Sequence, residues 1–333
     1  MAPLRSQMSV SKERLPMLFK GLKTTSYHDP GSRGPGSHTI RCLDWNPLGT
    51  LVATGSADRT LRVWNPDRPN IRNSTELKGH EAPIEKVAFN PVKDAELCSV
   101  SNDGVVKFWD VRTKACINEV KGLGDAFTLA WHPDGDTVIV GNKADTIFFL
   151  DATKSTPIAA HQQDIQTNQI VFCWSGTKIF VTTGEGRVKI LNYPDLTPAY
   201  GIRAGEEKPF SLNGHTSSCL SVALQPTARY LATGGSDSII SLWDTKYWIC
   251  QRTLIEMVGP IRGISFSFDG SFIVGGSDEG TGLEIAHAET GEYIHSVKTT
   301  APCPVVAWHP NRYHLAYADL GGLKIIGVDP DRK

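Results

Sequence analysis

The chain has 333 residues, 40% of them hydrophobic and 21% charged, the balance of a globular protein with ample apolar material for a core. Lysine and arginine number 34 against 35 aspartates and glutamates, so no global field draws the chain to a phosphate backbone or an anionic membrane surface. The seven cysteines, Cys42, Cys98, Cys116, Cys173, Cys219, Cys250 and Cys303, are scattered without a CxxC pair. No stretch of about eighteen apolar residues occurs, and the N-terminus lacks the apolar centre of a secretory signal. These features lead to the expectation of reduced thiols in a soluble intracellular protein.

In chain order, residues 1–21 are polar and basic and read as a flexible tail. Residues 22–28, LKTTSYH, alternate as a strand should, and Gly31, Gly34, Pro35 and Gly36 form a loop after them. One pattern then recurs seven times: a short apolar strand ending on a large residue, a turn with Pro or Ser, and a second strand of small residues. The large residues are Trp45, Phe89, Trp131, Trp174, Leu224, Phe266 and Trp308, 42 to 50 residues apart. A third alternating strand follows each of them, closing on Trp64, Trp109, Leu150, Leu191, Trp243, Ala286 and Ile326. A period in the forties with four short strands per unit predicts an all-β fold, a seven-bladed β-propeller. The seventh unit leaves no room for its outer strand. Residues 22–28 are therefore expected to supply it, closing the ring and removing its exposed edges, so that the propeller spans 22–330.

Two units end their third strand on Trp109-Asp110 and Trp243-Asp244, and Gly79-His80 and Gly214-His215 precede the same two units. On these residues the chain resembles the WD-repeat family. The resemblance implies two buried hydrogen-bonded chains, His80, Ser99, Asp103 and Trp109 in blade two, and His215, Thr233, Asp237 and Trp243 in blade five. The spacing agrees: Asp58, Asp103 and Asp237 each lie four residues after Thr54, Ser99 or Thr233 and six before a tryptophan. An aspartate so placed can accept from an imidazole and from turn N–H groups. Blades three, four, six and seven lack the full set and are expected to rely on packing.

No HExxH, GxSxG, GxxxxGK[ST] or Cys/His metal spacing occurs, and His132 and His309 share one phase in WHP, which assigns them to a turn. Gly184-Glu185-Gly186 and Gly275-Gly276 fall in turns with no helix behind them to bind a phosphate. No catalytic, cofactor or metal residues are expected, and the chain reads as a non-enzyme. Seven tryptophans sit at repeat positions. Trp248 does not: with Tyr247 it falls in the outer strand of blade five, TKYWICQRTL, either as a partner contact or as a cover for its own blade edge. The longest interval, from Trp174 to Leu224, holds an insertion at 198–213 with Arg203, Glu206, Glu207, Lys208 and Phe210, which is a solvated excursion or a contact point.

Several segments go beyond the generic repeat: VRTKACI (111–117), VIVGNKADTIFFLDA (138–152), ILNYPDLTP (190–198), YLATGGSDSIISLWD (230–244), IRGISFSFDG (261–270), EIAHAETGE (284–292) and VAWHPNRYHLAYA (305–317). Here the chain resembles the WD-repeat subunit of the THO complex, the core of the transcription–export (TREX) assembly. The GNK of blade three and the NYP of blade four are particular to that resemblance, whereas the loop at 30–38 and the insertion depart from it. It implies a nuclear scaffold for mRNA processing and export that docks on the large helical THO subunit. RNA would be reached only through the complex, with no membrane and no small-molecule ligand. The alternative is a WD-repeat substrate receptor of a ubiquitin ligase, or another peptide-recognition adaptor reading peptides at the central mouth.

Overall fold

Each repeat folds as a four-stranded antiparallel sheet, and seven such sheets close into a β-propeller with their first strands lining a central channel. The computed structural model describes residues 19, 21–27, 39–68, 74–200, 209–320 and 322–328, all in strands, turns and loops. Most of the tail, His28, the loop at Gly31, Gly34, Pro35 and Gly36, and Arg203, Glu206, Glu207 and Lys208 of the insertion lie outside the described residues.

The inner strands are Ile40–Trp45, Ile84–Phe89, Ala126–Trp131, Thr167–Phe172, Cys219–Leu224, Ile261–Phe266 and Val306–Trp308. Six of the seven carry a register shift at their second residue, an extra residue that increases local twist. The second strands are covered on both faces by neighbouring blades. Val52–Ser56, Tyr230–Gly235 and Phe272–Ser277 are buried at every position, so they read as runs of small residues instead of alternating. Gly55 shows the tightness: a Cβ there would stand 2.5 Å from Ile84 and 2.6 Å from the Cys42 sulfur. Outer strands such as Cys250–Leu254 are exposed along most of their length.

The hydrophobic core is divided among the junctions. Trp45, Val52 and Trp64 of blade one pack on Ala316, Leu323 and Ile325 of blade seven, and comparable clusters fill the other six junctions. Burial at about 25 cal/mol per Å² therefore rewards closing the ring more than forming any one sheet.

Blade seven is built from both ends of the chain. Its sheet order is Leu22–Tyr27, Gly322–Val328, His314–Asp319 and Val306–Trp308, with Leu22 opposite Val328 and Tyr27 opposite Leu323. Upstream of this strand, Phe19 is buried against Phe272 and stacks on His295 of blade six, 5.2 and 5.4 Å between ring centres.

One repeat anchor differs from the sequence-based assignment. In blade four Phe172 pairs with Ile179, as Trp45 pairs with Val52 and Trp131 with Val138, so Phe172 holds the anchor position and Trp174 lies in the following turn.

Candidate functional site

In blade five the four residues form one connected set. Trp243 Nε1 donates to Thr233 Oγ1 at 3.0 Å, His215 Nε2 meets the same hydroxyl at 2.8 Å, and His215 Nδ1 faces both Asp237 oxygens at 3.1 and 3.2 Å. Asp237 also accepts the N–H of Thr216 at 3.0 Å, tying the loop before the inner strand to the turn after the second.

Blade two keeps three of its four. Trp109 Nε1 donates to Ser99 Oγ at 2.8 Å and His80 Nε2 meets that oxygen at 2.6 Å. Asp103, expected to complete the chain, is instead engaged by the Ser101 hydroxyl and by the Val105 N–H, and His80 Nδ1 is buried without a partner. The cause lies two residues before the aspartate. Blade five has Gly235 there, and a Cβ on it would stand 2.3 Å from Asp237 and 2.5 Å from His215. Blade two has Ser101, whose hydroxyl captures the carboxylate. Burial and then Lys107 depress the His80 pKa to about 4, and the charges of Asp103 and Glu119, neither of them bonded to the imidazole, oppose this only in part.

Blade one keeps the indole bond, Trp64 Nε1 donating to Thr54 Oγ1 at 2.9 Å, whereas blades three and seven use other polar devices at this place, contrary to the expectation of packing alone. In blade three the Asn142 of GNK donates to Leu123 O at 2.8 Å and accepts from Thr146 N–H at 2.9 Å. In blade seven the buried Asp319 accepts from Thr300 N–H and hydroxyl, Ala301 N–H and Lys324 Nζ, at 2.6 to 3.1 Å. Blade six is apolar: Met257, four residues before the inner strand where His80 and His215 stand, is buried against Ile240 and Ile261, with Gly275 and Ala286 in place of the hydroxyl and the indole.

At the opposite ends of the inner strands, the residue after five of the seven anchors reaches to the next blade. Asn46 donates to Asp94 O (3.3 Å), Asn90 to Gly135 O (2.7 Å), Gln225 to Gly270 O (2.7 Å), and His132 Nε2 meets Gly176 O (3.2 Å). His309 closes the ring, its Nε2 on Gly49 O at 2.9 Å, while its Nδ1 accepts from Asn311 and Arg312 N–H. Gly49 has φ 73°, and a Cβ there would meet the imidazole at 2.1 Å. The other two junctions are held by Trp174 Nε1 on Gln225 O (2.8 Å) and by the Tyr313 hydroxyl on Asp269 (2.8 Å). Sequence reasoning missed this belt, although its signal, an Asn, Gln or His directly after five of the large residues, was present.

Tyr247 and Trp248 lie in the turn before the outer strand of blade five, one step earlier than expected. Asp244 accepts the N–H groups of Lys246 and Tyr247 and so winds the turn, leaving Trp248 at φ 56°. A bulky side chain there costs roughly 1 kcal/mol, offset by packing on Phe180 of blade four at 5.6 Å. Trp248 is thus partly buried across a blade junction, and Tyr247 stays exposed.

The central channel encloses about 720 Å³ and is lined by inner-strand residues in which charges are largely paired, Arg41 with Glu85 and Arg262 with Asp278 at 2.8 Å. Among the described residues no group of three or more His, Cys, Asp or Glu side chains is arranged to hold a metal ion, and no helix is long and apolar enough to cross a membrane.

The family model for the WD domain, G-beta repeat, matches residues 31–65, 72–110, 206–244 and 248–281. The chain is 32% identical to THO complex subunit 3 of Arabidopsis thaliana over 302 residues, which cover 90% of each protein. It belongs to the THO complex subunit 3 family of WD-repeat proteins. A second relative, WD repeat-containing protein AAC3 of Dictyostelium discoideum, is also 32% identical, over 82% of this chain and 60% of that protein. The fold matches the β-propeller domain of Myceliophteria thermophila Cps50 (Swd1) with a TM-score of 0.77, covering 92% of this chain at 18% identity. For a THO subunit 3 relative, the two motifs outside the WD pattern have structural roles in this fold. Asn142 of GNK ties a blade-three turn together, and Tyr193 of NYP packs among His132, Phe149 and Phe172 at the junction of blades three and four.

Proposed function

We propose that this protein is the WD-repeat scaffold subunit of a nuclear THO/TREX assembly. In this reading it acts without catalysis, through contacts with the other THO subunits and chiefly the large helical one, in coupling transcription to mRNA processing and export. The observation that carries the reading is the homology to THO complex subunit 3 across 90% of both chains. The geometry is suited to the role. A ring held by a cross-blade hydrogen bond at every junction offers two broad, stiff faces, and large apolar side chains such as Leu48, Val92, Tyr247 and Ile249 stand exposed on its turns and edges. Tyr247 is proposed as a partner contact; Trp248 supports it from beneath by fixing the turn. The buried sets around Ser99 and Thr233 are assigned a structural part, shaping the loops that partners meet.

The test is affinity purification of the tagged chain from nuclei, followed by quantification of partners that elute in equal amounts. Co-elution of the large helical THO subunit, lost in a Tyr247→Ala, Ile249→Ser variant or in another face variant, supports the reading. Recovery with ubiquitin-ligase components and no THO subunit would replace it with the peptide-receptor alternative.

A further inference from the structure

The loop from the outer strand of blade five to the inner strand of blade six presents Ile255 and Val258 at 68% and 64% exposure, the highest among the described large hydrophobic residues. This is not looseness. Met257 between them is driven into the blade junction at 7% exposure, and the Glu256 N–H donates to the Tyr293 hydroxyl at 3.0 Å. The loop is pinned on both sides, and its two aliphatic side chains are left turned outward.

Beside them runs a groove of about 400 Å³, bounded by residues 256–258, by the turn at 279–282 and by the outer strand Tyr293–Lys298. Glu256, Glu279 and Glu284 line it against one cation, Lys298. None of the three carboxylates forms an ion pair among the described residues, whereas the adjacent Asp278 is neutralised by Arg262 at 2.8 Å. Like charges gathered on one groove repel, and they hold back any phosphate backbone. Large apolar side chains beside unpaired carboxylates form a surface complementary to a cationic, amphipathic segment, whose Lys or Arg stems can cover aliphatic surface while their heads reach the acids.

We propose that this rim of blade six docks a basic segment of another protein, one that carries several Lys or Arg together with at least one large aliphatic or aromatic side chain lying over Ile255 and Val258. The site adds a partner chemistry to the scaffold reading and does not depend on which assembly the protein joins.

The probes are three labelled peptides of about twelve residues: one alternating Arg and Leu, one with Gly for Leu, and one with Glu for Arg. Each is titrated with the full chain and followed by fluorescence anisotropy. The Arg/Leu peptide is expected to bind about tenfold tighter than either control and to weaken as salt rises from about 50 to 300 mM. Glu256→Gln with Glu279→Gln, and separately Ile255→Ser with Val258→Ser, should each weaken it by about tenfold without moving the melting temperature, because all four side chains are exposed. Equal binding of the Arg/Leu and Arg/Gly peptides, or binding indifferent to both double variants, overturns the proposal. So does a gain of about tenfold in affinity for the Arg/Leu peptide on deleting residues 1–18, which would assign the groove to the chain's own basic N-terminal segment, with Arg5, Lys12 and Arg14.

Discussion

Ser101 and Gly235 occupy the same place in two blades, and the hydroxyl present in one and absent in the other decides where an aspartate points. Ser101→Gly should release Asp103 toward His80 Nδ1. The His80 pKa, about 4 in the intact protein, is then expected to rise by one unit or more, read by NMR titration of the imidazole. For the same reason Asp237→Ala should cost about 1 to 3 kcal/mol in urea denaturation, while Asp103→Ala, which strands no imidazole, costs less than about 1 kcal/mol. Asp103 and Asp237 have identical spacing to their hydroxyls and tryptophans, so the spacing could not separate them; the neighbouring small residue could have. A second residue-scale expectation concerns pH. Burial, followed by the like charges of His314 and Arg312, holds the His309 pKa down to about 4, so its contribution is complete above 6.5 and is lost as pH falls from there toward 4. Asp44 runs the other way. Burial raises its pKa from 3.8 to about 6, partly opposed by the Phe89 N–H and Lys86, so it stabilises below the ordinary carboxylate range and that contribution is lost as pH rises through 6. Asp44→Asn keeps an oxygen for the Phe89 N–H and removes the buried charge. It is expected to add about 1 to 3 kcal/mol at pH 7.5 and nothing near pH 4, by urea melts at the two values.

At the scale of strands and turns, blade six and blade seven make the sharpest contrasts. Met257→His would bury an imidazole beside Gly275 and Ala286, with neither hydroxyl nor indole to receive it, and should lower stability by about 2 to 3 kcal/mol in the same assay. Deleting residues 1–28 removes the outer strand of blade seven together with Phe19 and should lower the melting temperature and expose an edge that associates, whereas deleting 1–18 leaves both and should change little. Equal melting of the two truncations would show that the strand carries no stability. The sevenfold repeat, its period and the third-strand residues were legible because every unit must bury the same faces against its neighbours. Blade four's anchor was not. Phe172 and Trp174 are two residues apart and would share a face in an extended strand, so alternation alone cannot choose between them; the choice is made by the pairing of Phe172 with Ile179 and by the turn at Gly176. The exact place of Trp248 was hidden for a related reason, since only the Asp244 turn shows that the outer strand begins at Cys250.

Across the whole molecule the charges nearly cancel, 34 basic against 35 acidic, and the isolated protein is expected to bind single-stranded RNA no better than the weak non-specific range of about 10⁻⁴ to 10⁻⁶ M at physiological salt. Fluorescence anisotropy at about 150 mM salt checks this, and submicromolar binding that survives deletion of residues 1–21 would place an RNA site on the propeller itself. The composite seventh sheet also has a consequence in time. Tyr27 must find Leu323, a partner made about 300 residues later, which at synthesis rates of roughly 5 to 20 residues per second is a wait of about 15 to 60 s. Throughout that interval the first-made strand and the growing arc of blades present unpaired edges on the ribosome. Shielding those edges until the last strand emerges becomes a task for the translating cell, and each round of synthesis exposes the same seam inside blade seven.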